Sequence, residues 1–193
     1  NTIENNGLND MLLAIRKAKN NDDIKGIYLE AGPLAAGFST LQELRDALAD
    51  FKKSGKWIVA YGDTYTQGCY YVASVANHIF LNPQGQVDWH GLSSQPYYIK
   101  DLAAKFGVKY QVAKVGTFKS ATEMFTETKM SDANRLQVST YLNGLWGNVC
   151  KAVSESRKIS IPALNTYADE YQLFADAQSL VKKHFVDKLL YAD

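Results

Sequence analysis

Lysine can act as a general base only when its ammonium gives up a proton, and one lysine of this chain sits in surroundings suited to that. The run Lys114-Val115-Gly116-Thr117-Phe118-Lys119-Ser120-Ala121, followed by Glu123-Met124-Phe125, sets Lys119 two residues after a Gly-Thr turn and among apolar neighbours. A free lysine has a pKa of about 10.4, and general-base work near neutral pH asks for ~7–8. Desolvation lowers it. Phe118, Met124 and Phe125 are the expected apolar walls, with Thr117 and Ser120 as hydroxyls that orient the amine. The segment Lys109–Val115 reads as a strand, which places the amine where a strand ends and a loop begins, a usual location for sites in α/β proteins. A lone Gly-Thr-x-Lys is a weak signal, since a lysine on its own more often snorkels at the surface.

Other candidates point less sharply to chemistry. Asp88 and His90, two apart in "QVDWHGL", suggest a catalytic or metal pair, but a single histidine there favours a surface position and no metal is expected. Cys69 and Cys150 lack metal-type spacing and read as small buried hydrophobes. Cys69 has no histidine in its motif to activate it as a nucleophile. Ser93 and Ser94 follow Gly91 in a loop, where contact with a peptide competes with the plainer reading of polar loop residues.

Composition excludes several function classes. The 193 residues carry a net charge of +1 and no basic run, so nothing marks a nucleic-acid partner. Hydrophobic residues make up 46% and charged residues 21%, the usual mix of a globular domain. No window approaches the ~20 apolar residues of a spanning helix. The chain starts at Asn1 without a methionine or signal-peptide pattern and reads as a trimmed soluble piece. Twelve tyrosines and three tryptophans exceed what an ordinary core needs. The preferred reading puts them in the core with their polar tips wet, and the second puts some on a contact surface.

The elements that must position these residues alternate between strands and helices. Leu8, Met11, Leu12 and Ile15 predict a helix stopped by the Asn-Asn-Asp-Asp cluster at 20–23. Residues 24–29 and 57–61 predict buried strands. Ser39 offers the cap of a helix whose stripe is Leu41, Leu44, Leu48 and Phe51. Gly62 to Gln67 reads as a polar turn after a Gly-Pro turn at 32–33 earlier in the chain, Gly68 to Ala76 as a buried helix, and 78–81 as a strand closed by Asn82-Pro83. A helix near 97–106, a long one from about 131 to 157, a Pro162-led helix and a final helix with a short strand complete the pattern. Such alternation calls for a mostly parallel sheet flanked by helices. Periodicity does not choose between doubly wound folds of this class.

The blocks "KVGTFKSATEMF", "YGDTYTQGCYYVASVANHIFLNPQGQVDWHGL" from Tyr61 to Leu92, and the helical run after "MSDANR" at Met130 to Arg135 jointly resemble the signal peptide peptidase A (protease IV) family of Ser–Lys dyad serine peptidases. The resemblance covers roughly the whole chain and implies a Clp-protease/crotonase type of α/β fold, Lys119 as the general base, and no cofactor. It also implies that the helix start near Gly68 faces the site, where backbone N–H groups can hold an oxyanion. One departure matters. Members with an active serine carry a segment like Ala-Ser-Gly-Gly-Tyr-Tyr, whereas the matching run here is Thr66-Gln67-Gly68-Cys69-Tyr70-Tyr71, which puts Gln67 at the nucleophile position. An amide cannot attack as an alkoxide does.

The chain therefore looks like the amino-terminal, lysine-bearing half of a long two-domain member: a single peptidase domain over 1–193, with about 132–193 as a helical extension on the core or on neighbouring subunits. The implied partners are signal peptides, a serine-bearing domain of the same protein, and further copies in a ring or dome. An upstream anchor would hold the domain on the extracytoplasmic side of a bacterial inner membrane. Two other expectations stand beside this one: an inert peptide-binding or oligomerisation scaffold, and, more weakly, a crotonase-like acyl-thioester enzyme, for which no adenine or pantetheine signature is seen.

Overall fold

A computed structural model of the chain describes residues 7–32, 34, 36–113, 115–116 and 119–192. The chain divides into two compact units, one formed by residues up to Gly91 together with those from Asn148, the other by Leu92–Gly147.

The first unit carries the sheet. It runs α1 (Leu8–Asn20), β1 (Gly26–Glu30), α2 (Phe38–Lys52), β2 (Trp57–Tyr65), α3 (Gln67–Ala73) and β3 (His78–Val87). The second unit adds α4 (Lys100–Lys105) and α5 (Glu123–Thr126), and α6 (Asp132–Arg157) passes from it back into the first, which α7 (Ile161–Asp169), α8 (Ala177–Lys182) and β4 (Lys188–Leu189) complete. The strands pair in the order β1-β2-β3-β4, all parallel. Parallel neighbours need helical crossovers, and α2 and α3 supply the first two. The expected α/β architecture is thus present.

The strands run further than the turn residues suggest. Gly62 is not in a turn: it pairs with Leu81, and β2 continues to Tyr65. Asn82-Pro83 does not close β3 either. Between Gly62↔Leu81 and Thr64↔Gln86 the register shifts, so residues 82–85 bulge out opposite Asp63 before pairing resumes. A bulge is where a proline can sit in a sheet without forfeiting a ladder bond. In α2 the cap expected at Ser39 lies two residues earlier, at Gly37, whose carbonyl accepts the Leu41 N–H. The stripe stands: Leu41, Leu48 and Phe51 are essentially removed from solvent, each contributing on the order of 2 kcal/mol. Pro162 occupies the first turn of α7 after the Ser160 cap.

Aromatic rings fill the core of this unit. Tyr70 meets Trp89 edge-on at 5.8 Å and Phe185 at 5.2 Å. Their polar tips are not wet as expected, but bonded to backbone: Tyr65 Oη donates to Phe80 O, Tyr70 Oη to Phe185 O and Trp89 Nε1 to Leu164 O. A buried donor without a partner is costly, so backbone carbonyls replace the water.

In the second unit, the Ile99 N–H donates to Met124 O at 2.8 Å, and the Tyr110 and Phe125 rings lie 4.7 Å apart. Several large apolar side chains face solvent, among them Tyr97, Phe106, Val115, Leu136 and Tyr141. The strand expected over Lys109–Val115 is not formed in its described residues. β-branched residues make a strand only when a neighbour pairs with them, and the four-stranded sheet takes no strand from this unit.

Asp187 locks β4 to the sheet. Its carboxylate accepts two hydrogen bonds from the Arg157 guanidinium, at 2.7 and 3.2 Å, and one from the Ile79 N–H at 2.7 Å. Burial works against its charge, but Arg157 and the Ile79 N–H outweigh it and hold the carboxyl below its ordinary range. Stability from a depressed carboxyl is fully present above the unfolded pKa and is lost as pH falls through the folded one. Asp187→Asn is therefore expected to cost about 2 kcal/mol at pH 7, a deficit that shrinks below pH ~4. Urea unfolding at pH 7 and pH 3 checks this, and a pH-independent deficit would contradict it.

Candidate active site

Gln67, which the family resemblance sets at the nucleophile position, is bound into its own fold. Thr66 caps α3, its hydroxyl accepting the Cys69 N–H, and Gln67 opens the helix with only 6% of its surface exposed. Its Nε2 donates to Gly91 O at 3.0 Å, and its Oε1 accepts the N–H groups of His90 at 3.0 Å and Gly91 at 2.9 Å. Gln67 thus clips the start of the loop after β3 to the first turn of α3. Gly68 is the contact point with α2: a Cβ there would come within 2.9 Å of Leu41 Cδ1.

Lys119 lies in the second unit. The chain reverses at Gly116, whose φ of +98° favours glycine, and Lys119 stands immediately before the 3₁₀ turn Ser120–Thr122. The expectation of a buried amine is corrected: Lys119 is exposed. Of its proposed apolar walls, Met124 is itself 39% exposed and Phe125 packs against Tyr110. Phe118 and Thr117 lie outside the described residues. Ser120 is half-buried, and its carbonyl accepts the Glu123 N–H that closes the turn. Ser93 and Ser94 are exposed in the irregular stretch before α4. Gln67 and Gly68 therefore belong to one unit, and Ser93, Ser94, Lys119 and Ser120 to the other.

His90 Nδ1 and Asp88 Oδ1 lie 2.6 Å apart on the surface, and no cluster of metal-ligating side chains occurs among the described residues. Both cysteines are buried and free. Burial raises the Cys69 thiol and pushes Cys150 up to about 12, which leaves little thiolate to attack anything. No helix among the described residues is long and apolar enough to cross a membrane.

Two contributors were not singled out from sequence. Thr66 was legible as a cap before a helix start. Glu123, 3% exposed and bonded to Ser131 and Asn134, carries no local signal, because its partners come from the next helix.

Gln67→Ala is expected to destabilise the first unit by about 2–3 kcal/mol, since it leaves two N–H groups and a carbonyl at 90–91 without their partner. Chemical denaturation measures the loss, and hydrogen exchange at His90 and Gly91 should accelerate. Neither cysteine should react with iodoacetamide at pH 8 in the native state, and rapid labelling of Cys69 by mass spectrometry would contradict its inert role.

Known proteins extend these observations. The model of peptidase family S49 matches residues 50–193. Protease 4 of Salmonella typhi is 40% identical over 180 residues, covering 93% of this chain and 28% of that protein. Protease 4 of Haemophilus influenzae is 37% identical over 163 residues, 84% of this chain and 26% of its own. The chloroplastic serine protease SPPA of Arabidopsis thaliana is 31% identical over 140 residues, 72% and 21% respectively. The chain thus spans about a quarter of the length of these three relatives. The parallel sheet flanked by helices agrees with the Clp-protease-like fold of the matched family. On that match and these identities, the chain belongs to peptidase family S49.

Proposed function

We propose that this chain supplies the lysine general base of a composite Ser–Lys dyad, and that the assembled protein is a serine-type endopeptidase acting on cleaved signal peptides. The observation that carries this reading is the Gln67 clip. At the position matching the family's serine, the side chain cannot act as a nucleophile, and its amide is already committed to three backbone groups. The serine then comes from polypeptide outside these 193 residues.

In the dyad, the neutral Lys119 amine takes the proton of the serine hydroxyl as the oxygen attacks the peptide carbonyl. The ammonium returns that proton to the leaving amine as the C–N bond breaks, and water repeats the sequence on the acyl-enzyme. The exposure of Lys119 supports the reading, since an amine at the surface is open to a hydroxyl from elsewhere. Water exclusion around the amine would come from the same incoming chain. No metal or cofactor enters this reaction.

The exposed Tyr97, Phe106, Leu136 and Tyr141 support a contact surface for the serine-bearing domain or for further copies in a ring or dome. They also favour a second reading, an inert scaffold that binds peptide and holds an oligomer together. Family resemblance supports an anchor outside this chain, with the domain on the extracytoplasmic side of a bacterial inner membrane.

Peptidase turnover of the full-length protein separates the two readings. Lys119→Ala is expected to lower kcat/KM by roughly 10³-fold or more, and wild-type turnover in that variant would remove the lysine from the mechanism. The isolated 193-residue chain should take up no fluorophosphonate acylating probe, and stoichiometric labelling would contradict the need for an outside serine.

A further inference from the structure

The second unit buries few polar side chains: among its described residues, Glu123 and Asn134 are the buried ones, at 3% and 9% exposed. Glu123 follows Lys119 by one turn. Its Oε1 accepts the Ser131 hydroxyl at 2.5 Å, and its Oε2 accepts Asn134 Nδ2 at 2.9 Å and the Ser131 N–H at 3.3 Å. Ser131 Oγ in turn accepts the Asn134 N–H at 3.2 Å, in the first turn of α6. Removing a carboxylate from water is costly unless donors replace the lost hydration. Here donors from the start of α6 do so, at the positive end of the helix dipole.

From these contacts we infer that Glu123 is a positioning residue for Lys119, an inference that rests on the reading of Lys119 as the general base. Ser131 already caps α6 through the Asn134 N–H, so the helix start does not require a glutamate from eight residues upstream. What Glu123 adds is a rigid link. Its backbone N–H bonds Ser120 O and closes the 3₁₀ turn that Lys119 immediately precedes. Its side chain fixes that turn to a 26-residue helix, α6. The next residue is held as well, since Met124 O accepts the Ile99 N–H. Without the carboxylate bonds, the backbone that carries an exposed amine on a long flexible stem would be free to shift, and a displacement of about 1 Å can cost on the order of a hundredfold in rate.

Two other groups face this cluster. The Tyr98 hydroxyl is buried, and burial followed by the Glu123 charge raises its pKa, with Arg135 opposing. A carboxylate at 123 is thus part of the local electrostatics as well as of the packing.

The test uses the full-length protein and a fluorogenic peptide that it cleaves. Glu123→Gln keeps shape and volume but turns one acceptor into a donor facing other donors. The expected result is a kcat lower by roughly 10–100-fold with KM within about twofold, as for other residues that orient a reacting group. A folded Glu123→Gln with wild-type kcat would overturn the inference and leave the Lys119 reading intact. So would kcat and KM worsening together in step with a lower melting temperature, the mark of a purely structural role. If Glu123→Gln does not fold, Ser131→Ala removes one hydroxyl donor to Glu123 together with the cap on the Asn134 N–H, and it should lower kcat several-fold at constant KM; an unchanged kcat there also overturns the inference. Full activity in Lys119→Ala would bring down both this inference and the reading beneath it, which distinguishes the two failures.

Discussion

A buried amide must satisfy both of its ends, and at position 67 it does so by bonding three backbone groups of residues 90 and 91. Gln67, which the proposed reading sets in place of a serine, is therefore part of the scaffold, holding the chain that leaves β3 against the first turn of α3. A domain built this way has a parallel sheet, helical crossovers and a packed aromatic core. The amide at position 67 is no nucleophile. If the protein cleaves peptides, the attacking group arrives from elsewhere and meets a base presented at the surface.

The division into two units fits this arrangement. The sheet-bearing unit is closed by long-range ties: Arg157 to Asp187, Tyr70 to Phe185 O, and Trp89 to Leu164 O. The unit that carries Lys119 is irregular, with few buried side chains and many exposed apolar ones. Its local order around the lysine comes from a buried carboxylate and a positive-φ glycine. The contact surface proposed above rests on this low packing density and these exposed rings.

Much of the fold was legible in the sequence where local pattern and tertiary role agree. The Leu41–Leu48–Phe51 stripe and the Ser160-Pro162 start of α7 are read from neighbours a few residues away. Gly62 and Asn82-Pro83 misled because their turn chemistry was overridden by pairing: β2 and β3 continue, and the extra residues go into a bulge. Lys109–Val115 misled in the opposite direction, having strand composition but, among the described residues, no strand paired with it. The site divided in the same way. Gln67 drew notice through the family resemblance of residues 66–71, but its bonds to residues 90 and 91 are not local. The burial of Lys119 was inferred from adjacent apolar residues, and adjacency in sequence does not enclose a side chain that points into solvent. Glu123 was missed because only the folded helix start reveals its donors.

The most direct measurement locates the nucleophile. The full-length protein, treated with a fluorophosphonate that abolishes its activity, is digested and its adduct mapped by peptide mass spectrometry. The account predicts one modified serine, located outside the 193 residues described here. An adduct on any side chain within them would contradict it.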